Sequence, residues 1–220
     1  MALLRRRRSA PRSSAAVQRS RLINTARALL HSRRLTELTL SDVAARAEVP
    51  KSSAYHYFAD IEDLYGHLLL ILHQEVRAAL AAPLVGPFAS WSEVVARLIE
   101  RGVRHFGADP AAQQLLVDPA ASPDLRLGVF KCDVALGEVF AQQINAHFEL
   151  PAVTDRPAVF FRAVEIAGLM FCLSFVDHGR ITRGMMVEAS RATVAYLGLY
   201  LPAKLPRRRA APSGSVGANP

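Results

Sequence analysis

Leu40-Ser-Asp-Val-Ala-Ala-Arg-Ala-Glu-Val-Pro-Lys-Ser-Ser-Ala-Tyr-His-Tyr-Phe58 is the stretch on which the reading of this chain turns. Ser41 with Asp42 is placed to open a short helix whose inward face is Val43, Ala44 and Ala47. Pro50 begins another, because a first helical turn does not use the N–H that proline lacks. Two short helices joined by a tight turn, the second presenting polar side chains, form the geometry by which a helix enters a DNA major groove. Val43, Ala44, Ala47, Val49, Ala54 and Phe58 then pack inward and leave Lys51, Ser52, Ser53, Tyr55 and His56 outside. Short polar groups and aromatic hydroxyls reach phosphates and base edges, whereas an ordinary solvated face favours Glu and Lys.

Working outward, apolar residues recur at three- and four-residue intervals and alternating β-branched runs are scarce, so the expectation is an all-α fold. Val17, Leu22, Ile23, Ala26, Leu29 and Leu30 make one face of a first helix ending near Arg33 and Arg34. Asp60 is placed to cap a helix from Ile61 to about Leu80, and further amphipathic stretches run over 90–106, 110–117, 123–148, 157–177 and 183–201. Pro202 to Pro220 is rich in Pro, Ala, Gly and Arg without apolar periodicity and reads as a flexible tail. The expected organisation is a disordered basic arm (1–16), a helix-turn-helix domain (17–64), a helical second domain (65–201) and that tail (202–220).

Charge is unevenly placed. Of the net +8, residues 1–59 hold twelve Lys and Arg against three acids, a balance of +9, and the rest of the chain sums to −1. A basic front on a near-neutral body suits a polyanion, because neutralised phosphates release counterions. The longest strongly apolar run, Ile166 to Val176, is interrupted by Ser174 and falls short of the roughly 20 residues that cross a bilayer. The N-terminus has no apolar core of a secretory signal, and the two cysteines, Cys132 and Cys172, are far apart. A soluble cytoplasmic protein without a membrane partner is expected. No i, i+4 His pair, Gly-rich phosphate loop or G-x-S-x-G elbow occurs, so neither a metal, nor a cofactor, nor catalysis is expected.

The run Ala45-Arg46-Ala47-Glu48-Val49-Pro50-Lys51-Ser52-Ser53-Ala54-Tyr55-His56-Tyr57-Phe58 resembles the signature of the TetR/AcrR family of repressors, roughly Ala-Arg-Ala-Gly-Val-Ser-Lys-Gly-Thr-Leu-Tyr-His-Tyr-Phe. Ala26, Leu29, Leu30 and Thr39 also fit, so the resemblance covers about the first third of the chain. Four positions depart from it: Glu48 and Ser52 stand for glycines, Arg34 for the Gly that ends the first helix, and Ile61 for a Lys. Glu48 requires a turn conformation that a side chain tolerates and brings an acid near the phosphates.

The resemblance implies phosphate contacts from Thr39, Ser41, Tyr55 and His56 and groove contacts from Lys51, Ser52 and Ser53. Tyr57 stands between DNA and core. For the second half it implies five or so helices around an effector cavity, with the last two forming a four-helix interface across a two-fold axis. Small and apolar residues suited to that homodimer are Ala163, Ala167 and Gly168, followed by Met186, Ala189, Val194 and Leu197. Cavity candidates are Trp91, Phe106, Phe130, Phe161 and Met170, with the acids Glu138 and Glu165, which need partners or a cationic ligand inside apolar helices. Partners such as Arg101, Arg104 or Arg162 would equally satisfy such acids. The expected function is a ligand-released repressor acting on an operator in double-stranded DNA. The alternative is a helical carrier or partner-binding protein without sequence-specific DNA recognition.

Overall fold

The computed structural model describes residues 12–208. The basic run Arg5 to Arg8 and the last residues of the expected tail lie outside them. Among the described residues the chain is helical throughout: α1 (Arg12–Leu29), α2 (Leu40–Arg46), α3 (Lys51–Tyr57), α4 (Ile61–Ala81), α5 (Trp91–Ala108), α6 (Pro110–Leu116), α7 (Pro123–His147), α8 (Arg156–His178) and α9 (Arg183–Leu197). Residues 12–16, read as part of a disordered arm, already belong to α1.

Local chemistry sets most of the boundaries. The second helix begins at Leu40 rather than at Ser41, because Thr39 is its cap and forms a reciprocal box with Asp42. The Asp60 side chain accepts from the Asp63 N–H at 2.8 Å, and Asp63 in turn accepts from Ala59, which fixes the start of α4. Asp109 before Pro110 and Ser122 before Pro123 start α6 and α7, the prolines sitting where no N–H is missed. At the far end of α4, the buried Gln143 amide of α7 donates to the carbonyls of Leu80, Ala81 and Ala82, while Arg101 of α5 reaches Ala79 and Pro83. Exposed helix-end carbonyls are thus satisfied by donors from two neighbours.

Two apolar cores result. One gathers α1 to α3, the first half of α4, α6 and the start of α7. The other gathers the second half of α4 with α5, α7, α8 and α9. Phe106 and Leu116 touch both. Packing therefore does not divide at residue 64: Leu68, Leu69 and Leu72 of α4 and Ala111, Ala112 and Leu115 of α6 belong to the N-terminal core. Helix α8 is long and apolar enough to cross a membrane by length and composition, more so than its interrupted run of apolar residues suggests. In this protein it packs along α7 and α9 instead.

The tail begins later than the sequence suggests. Leu201 is buried and Trp91 donates its indole N–H to the Pro202 carbonyl at 2.9 Å. Arg207 then pairs with Phe148 as an antiparallel bridge, flanked by Glu149 N–H to Pro206 and Arg208 N–H to His147 at 2.8 and 2.9 Å. Proline spacing hid this, because the attachment is made by backbone groups that carry no side-chain signature.

Candidate nucleic-acid interface and cavity

Helices α2 and α3 meet through Ala47 to Pro50, with Val43, Ala44, Ala47, Val49, Ala54 and Phe58 buried against α1 and α4. Burying Ala54 and Phe58 turns the opposite side of α3 outward, so Lys51, Ser52, Tyr55 and His56 are exposed and Ser53 is half-buried. The Lys51 ammonium stands 5.7 Å from the centre of the Tyr55 ring, and the Tyr55 hydroxyl lies 3.4 Å from that of Ser41. These groups form one contiguous polar strip from the start of α2 along α3. Donors and a cation dominate it, as a phosphate-contacting surface requires.

Two of the expected contact residues have structural duties. The Tyr57 hydroxyl donates to Gln18 of α1 at 3.0 Å and its ring is half-buried, which ties α3 to α1. The Thr39 hydroxyl donates to Asp42 at 2.7 Å and accepts from the Asp42 N–H at 3.2 Å. The bond that the Thr39 hydroxyl donates, with that of the Thr39 N–H, holds the Asp42 carboxyl below its usual range. A phosphate at Thr39 would compete with its capping box.

The turn is made by Glu48 in a left-handed conformation, φ 54°. The residue thus adopts the backbone shape for which the family signature has glycine, rather than a turn of another kind. Its carboxylate pairs with Arg21 of α1 at 2.9 Å, an exposed ion pair beside the polar strip.

Behind this surface, Arg27 of α1 donates to Glu75 of α4 through both guanidinium ends, at 2.8 and 2.7 Å, and to Asp109 at the start of α6 at 2.9 Å. Gln114 of α6 bonds the Leu30 and Arg33 carbonyls and the Leu35 N–H at 2.7 to 3.0 Å. Helix α6 is therefore fastened to the helix-turn-helix unit by side-chain bonds as well as by its apolar face. None of these residues stood out in the sequence, since a lone Arg or Gln in a helix carries no sign of its partner.

Helix α6 also borders an internal space. Two adjoining hollows of about 70 and 310 Å³ share Leu116, Val117, Val129, Asp133 and Gly168. The inner one lies among α4, α5, α7 and α8 and is largely apolar, with Phe106, Phe140 and Phe171 on its wall. The outer one is bordered by Phe130, Glu165 and Cys172. At their junction His73 of α4 meets Asp133 of α7 at 2.9 Å.

Of the cavity candidates, Phe106, Phe130 and Glu165 border these hollows, and four do not. Trp91 is core and holds the chain end, while Glu138 pairs with Arg156 at 3.4 Å on the surface. Phe161 sits at the close crossing of α7 and α8, and Met170 packs on the second core. His73 and Asp133 were missed, because their pairing across 60 residues leaves no local pattern.

The interface candidates also need correction. Ala163, Ala167, Ala189 and Leu197 are buried within the chain, and Met186 and Val194 are half-buried against its core; Gly168 is exposed and borders the hollows. The small residues Ala163 and Ala167 serve the packing of α8 within the chain. On α8 and α9 the exposed large apolar residues are Leu169, Leu173, Val176 and Val187. Among the described residues no three His, Cys, Asp or Glu gather as a metal site needs.

Residues 22–68 match the family model described as bacterial regulatory proteins, tetR family. No curated protein matches the chain. Among solved structures, a TetR-family transcriptional regulator from Streptomyces coelicolor is similar at 19% identity and TM-score 0.64, over 84% of this chain and 99% of that one. A TetR transcriptional regulator from Rhodococcus sp. RHA1 is similar at 17% identity and TM-score 0.61, over 83% and 96%. The multidrug binding protein EbrR, solved in complex with imidazole, is similar at 22% identity and TM-score 0.61, over 88% and 97%. The α2–α3 geometry thus lies within the segment that matches the tetR family model, residues 22–68, and the all-helical fold is that of the solved tetR-family structures over most of the chain.

Proposed function

We propose that this chain is a tetR-family transcriptional regulator, a cytoplasmic repressor that grips a palindromic operator as a homodimer and lets go when a small molecule enters the hollows behind α6. The observation that carries this reading is the exposed strip Lys51, Ser52, Tyr55 and His56 on a helix whose other side is locked by Ala54 and Phe58. A symmetric pair joined through Leu169, Leu173, Val176 and Val187 would set two such helices one DNA turn apart, roughly 34–36 Å. A ligand favouring another arrangement of α4 and α6 would move the head through Arg27 and Gln114, since both tie α1 to those helices.

The test is selection of genomic DNA fragments by the purified protein at physiological salt, beside the Lys51→Ala/Tyr55→Ala variant. Enrichment of a short palindrome by the wild type alone is expected. Loss of the Lys51 cation should also flatten the dependence of log affinity on log salt by about one unit if it pairs with a phosphate. Equal binding by both proteins would reduce the interaction to general attraction of a basic head for phosphate, and the carrier reading would take its place.

A further inference from the structure

The hollows behind α6 carry chemistry that narrows what can enter them, and the inference rests on reading them as the effector site. Glu165 of α8 approaches Asp133 of α7 where the two hollows join, and Glu165 Oε1 is buried without a hydrogen-bond partner among the described residues. His73 of α4, nearly fully buried, stands on the other side of Asp133 at 2.9 Å. The remaining inner wall is hydrocarbon. Other charged or titratable groups on the lining are Asp118, Arg126 and Cys172, all on the outer hollow. Arg126 is exposed and directs its guanidinium toward the Pro119 carbonyl at 3.5 Å, away from any role as counter-ion to the buried acids.

We propose that the effector is a lipophilic amine, its protonated nitrogen held between Asp133 and Glu165, a slim apolar arm in the inner hollow and its bulkier part in the outer one. Two carboxyls facing each other in an apolar wall cannot both ionise unaided. Burial, and behind it the charge of Asp133, push the Glu165 carboxyl up to about 8. A cationic N–H between them satisfies both oxygens, including the orphaned Oε1, and Glu165 gives its proton to solvent. A carboxylate ligand would add a third negative group at the same point, and a neutral ether brings neither the charge nor the N–H donors that the Asp133–Glu165 pair would take from an ammonium.

The experiment is calorimetric titration of the full chain, without DNA, at neutral pH. The probes are N-propylbenzylamine, its isostere benzyl propyl ether, and 5-phenylpentanoate. Saturable binding of the amine is expected, at least tenfold tighter than the ether or the carboxylate. Repeating the amine titration in buffers of different ionisation enthalpy should show protons released on binding. Glu165→Gln, nearly isosteric, should weaken the amine at least tenfold and abolish that release. Gly102→Val is the second variant. A Cβ at Gly102 meets the Leu80 and Phe106 side chains at an ordinary 3.9 and 4.0 Å, and Gly102 lines the inner hollow, so a valine there takes up space the slim arm would need. It should weaken the amine tenfold with both acids intact.

Equal binding of ether or carboxylate, an unaffected Glu165→Gln, or wild-type affinity in Gly102→Val each overturns the proposal, as does failure of the amine to bind. Because DNA is absent from this titration, such a failure leaves operator recognition standing. Conversely, an amine that binds as described without weakening the DNA complex removes ligand release and keeps the ligand class.

Discussion

Glu48 shows how one side chain can be legible and its conformation not. An acid at the glycine position of the turn is plain from the residues; that the chain keeps the glycine shape there, φ 54°, is not. A side chain in that region costs about 1 kcal/mol, and an exposed ion pair such as that with Arg21 returns little of it. Glu48→Gly should therefore leave the melting temperature unchanged or raise it by a few degrees. With the acid gone from the edge of the polar strip, it should also tighten DNA binding in a fluorescence titration. Thr39 argues the other way. Its hydroxyl sits in a capping box with Asp42, so Thr39→Val should cost about 1 kcal/mol in denaturant unfolding, beyond any phosphate contact. Lys51, Ser52, Tyr55 and His56 were legible as exposed, because burial of Ala54 and Phe58 follows from helical spacing alone, whereas Ser53, also expected outside, is half-buried. It could not divide Thr39 or Tyr57 between DNA and scaffold, since their partners, Asp42 and Gln18, are chosen by tertiary packing.

Among the helices, the number, order and approximate ends of α4 to α9 were readable from periodicity, proline and capping residues. Which side of α8 faces inward was not. The helix is apolar on nearly every side, so periodicity gives no direction, and Ala163 and Ala167, which by size alone suit a subunit interface, are buried within the chain. Close approach is set on the opposing helix, where a Cβ at Gly137 of α7 would stand 2.7 Å from the Phe161 nitrogen and 2.8 Å from the Phe160 carbonyl carbon. Backbone cannot yield as a flexible side chain does. Gly137→Ala should thus force α7 and α8 apart at a cost of about 2 kcal/mol, lowering the melting temperature by roughly 4–8 °C. Gly128→Ala, whose Cβ would meet only the Leu69 side chain at 3.8 Å, is the control that should not.

At the scale of the molecule, head and body are joined by charge as well as by hydrocarbon. Arg27 holds α1 to Glu75 of α4 and to Asp109 of α6, and Arg27→Met leaves both acids without that partner. The variant should keep affinity for DNA within a few-fold while sharply reducing the effect of any ligand on that affinity, as read by titrating operator with and without the ligand. Glu165 makes stability depend on pH. Folded, it keeps its proton to about pH 8; unfolded, it loses it in the ordinary carboxylate range. Between those limits the folded chain binds more protons, so its contribution to stability falls as pH rises. Melting curves across that window should slope downward in the wild type and less steeply in Glu165→Gln. Helix α6 has one further consequence. Ala111, Ala112 and Leu115 complete the core beneath α1 to α4, although they arrive some forty residues after the matched segment ends. A graft that moves the head onto another regulator and cuts after α4 would leave an open floor of leucines. Interchangeable parts in this scaffold end at the seams of packing rather than at the ends of continuous chain, and a working chimera must carry α6 with the head it supports.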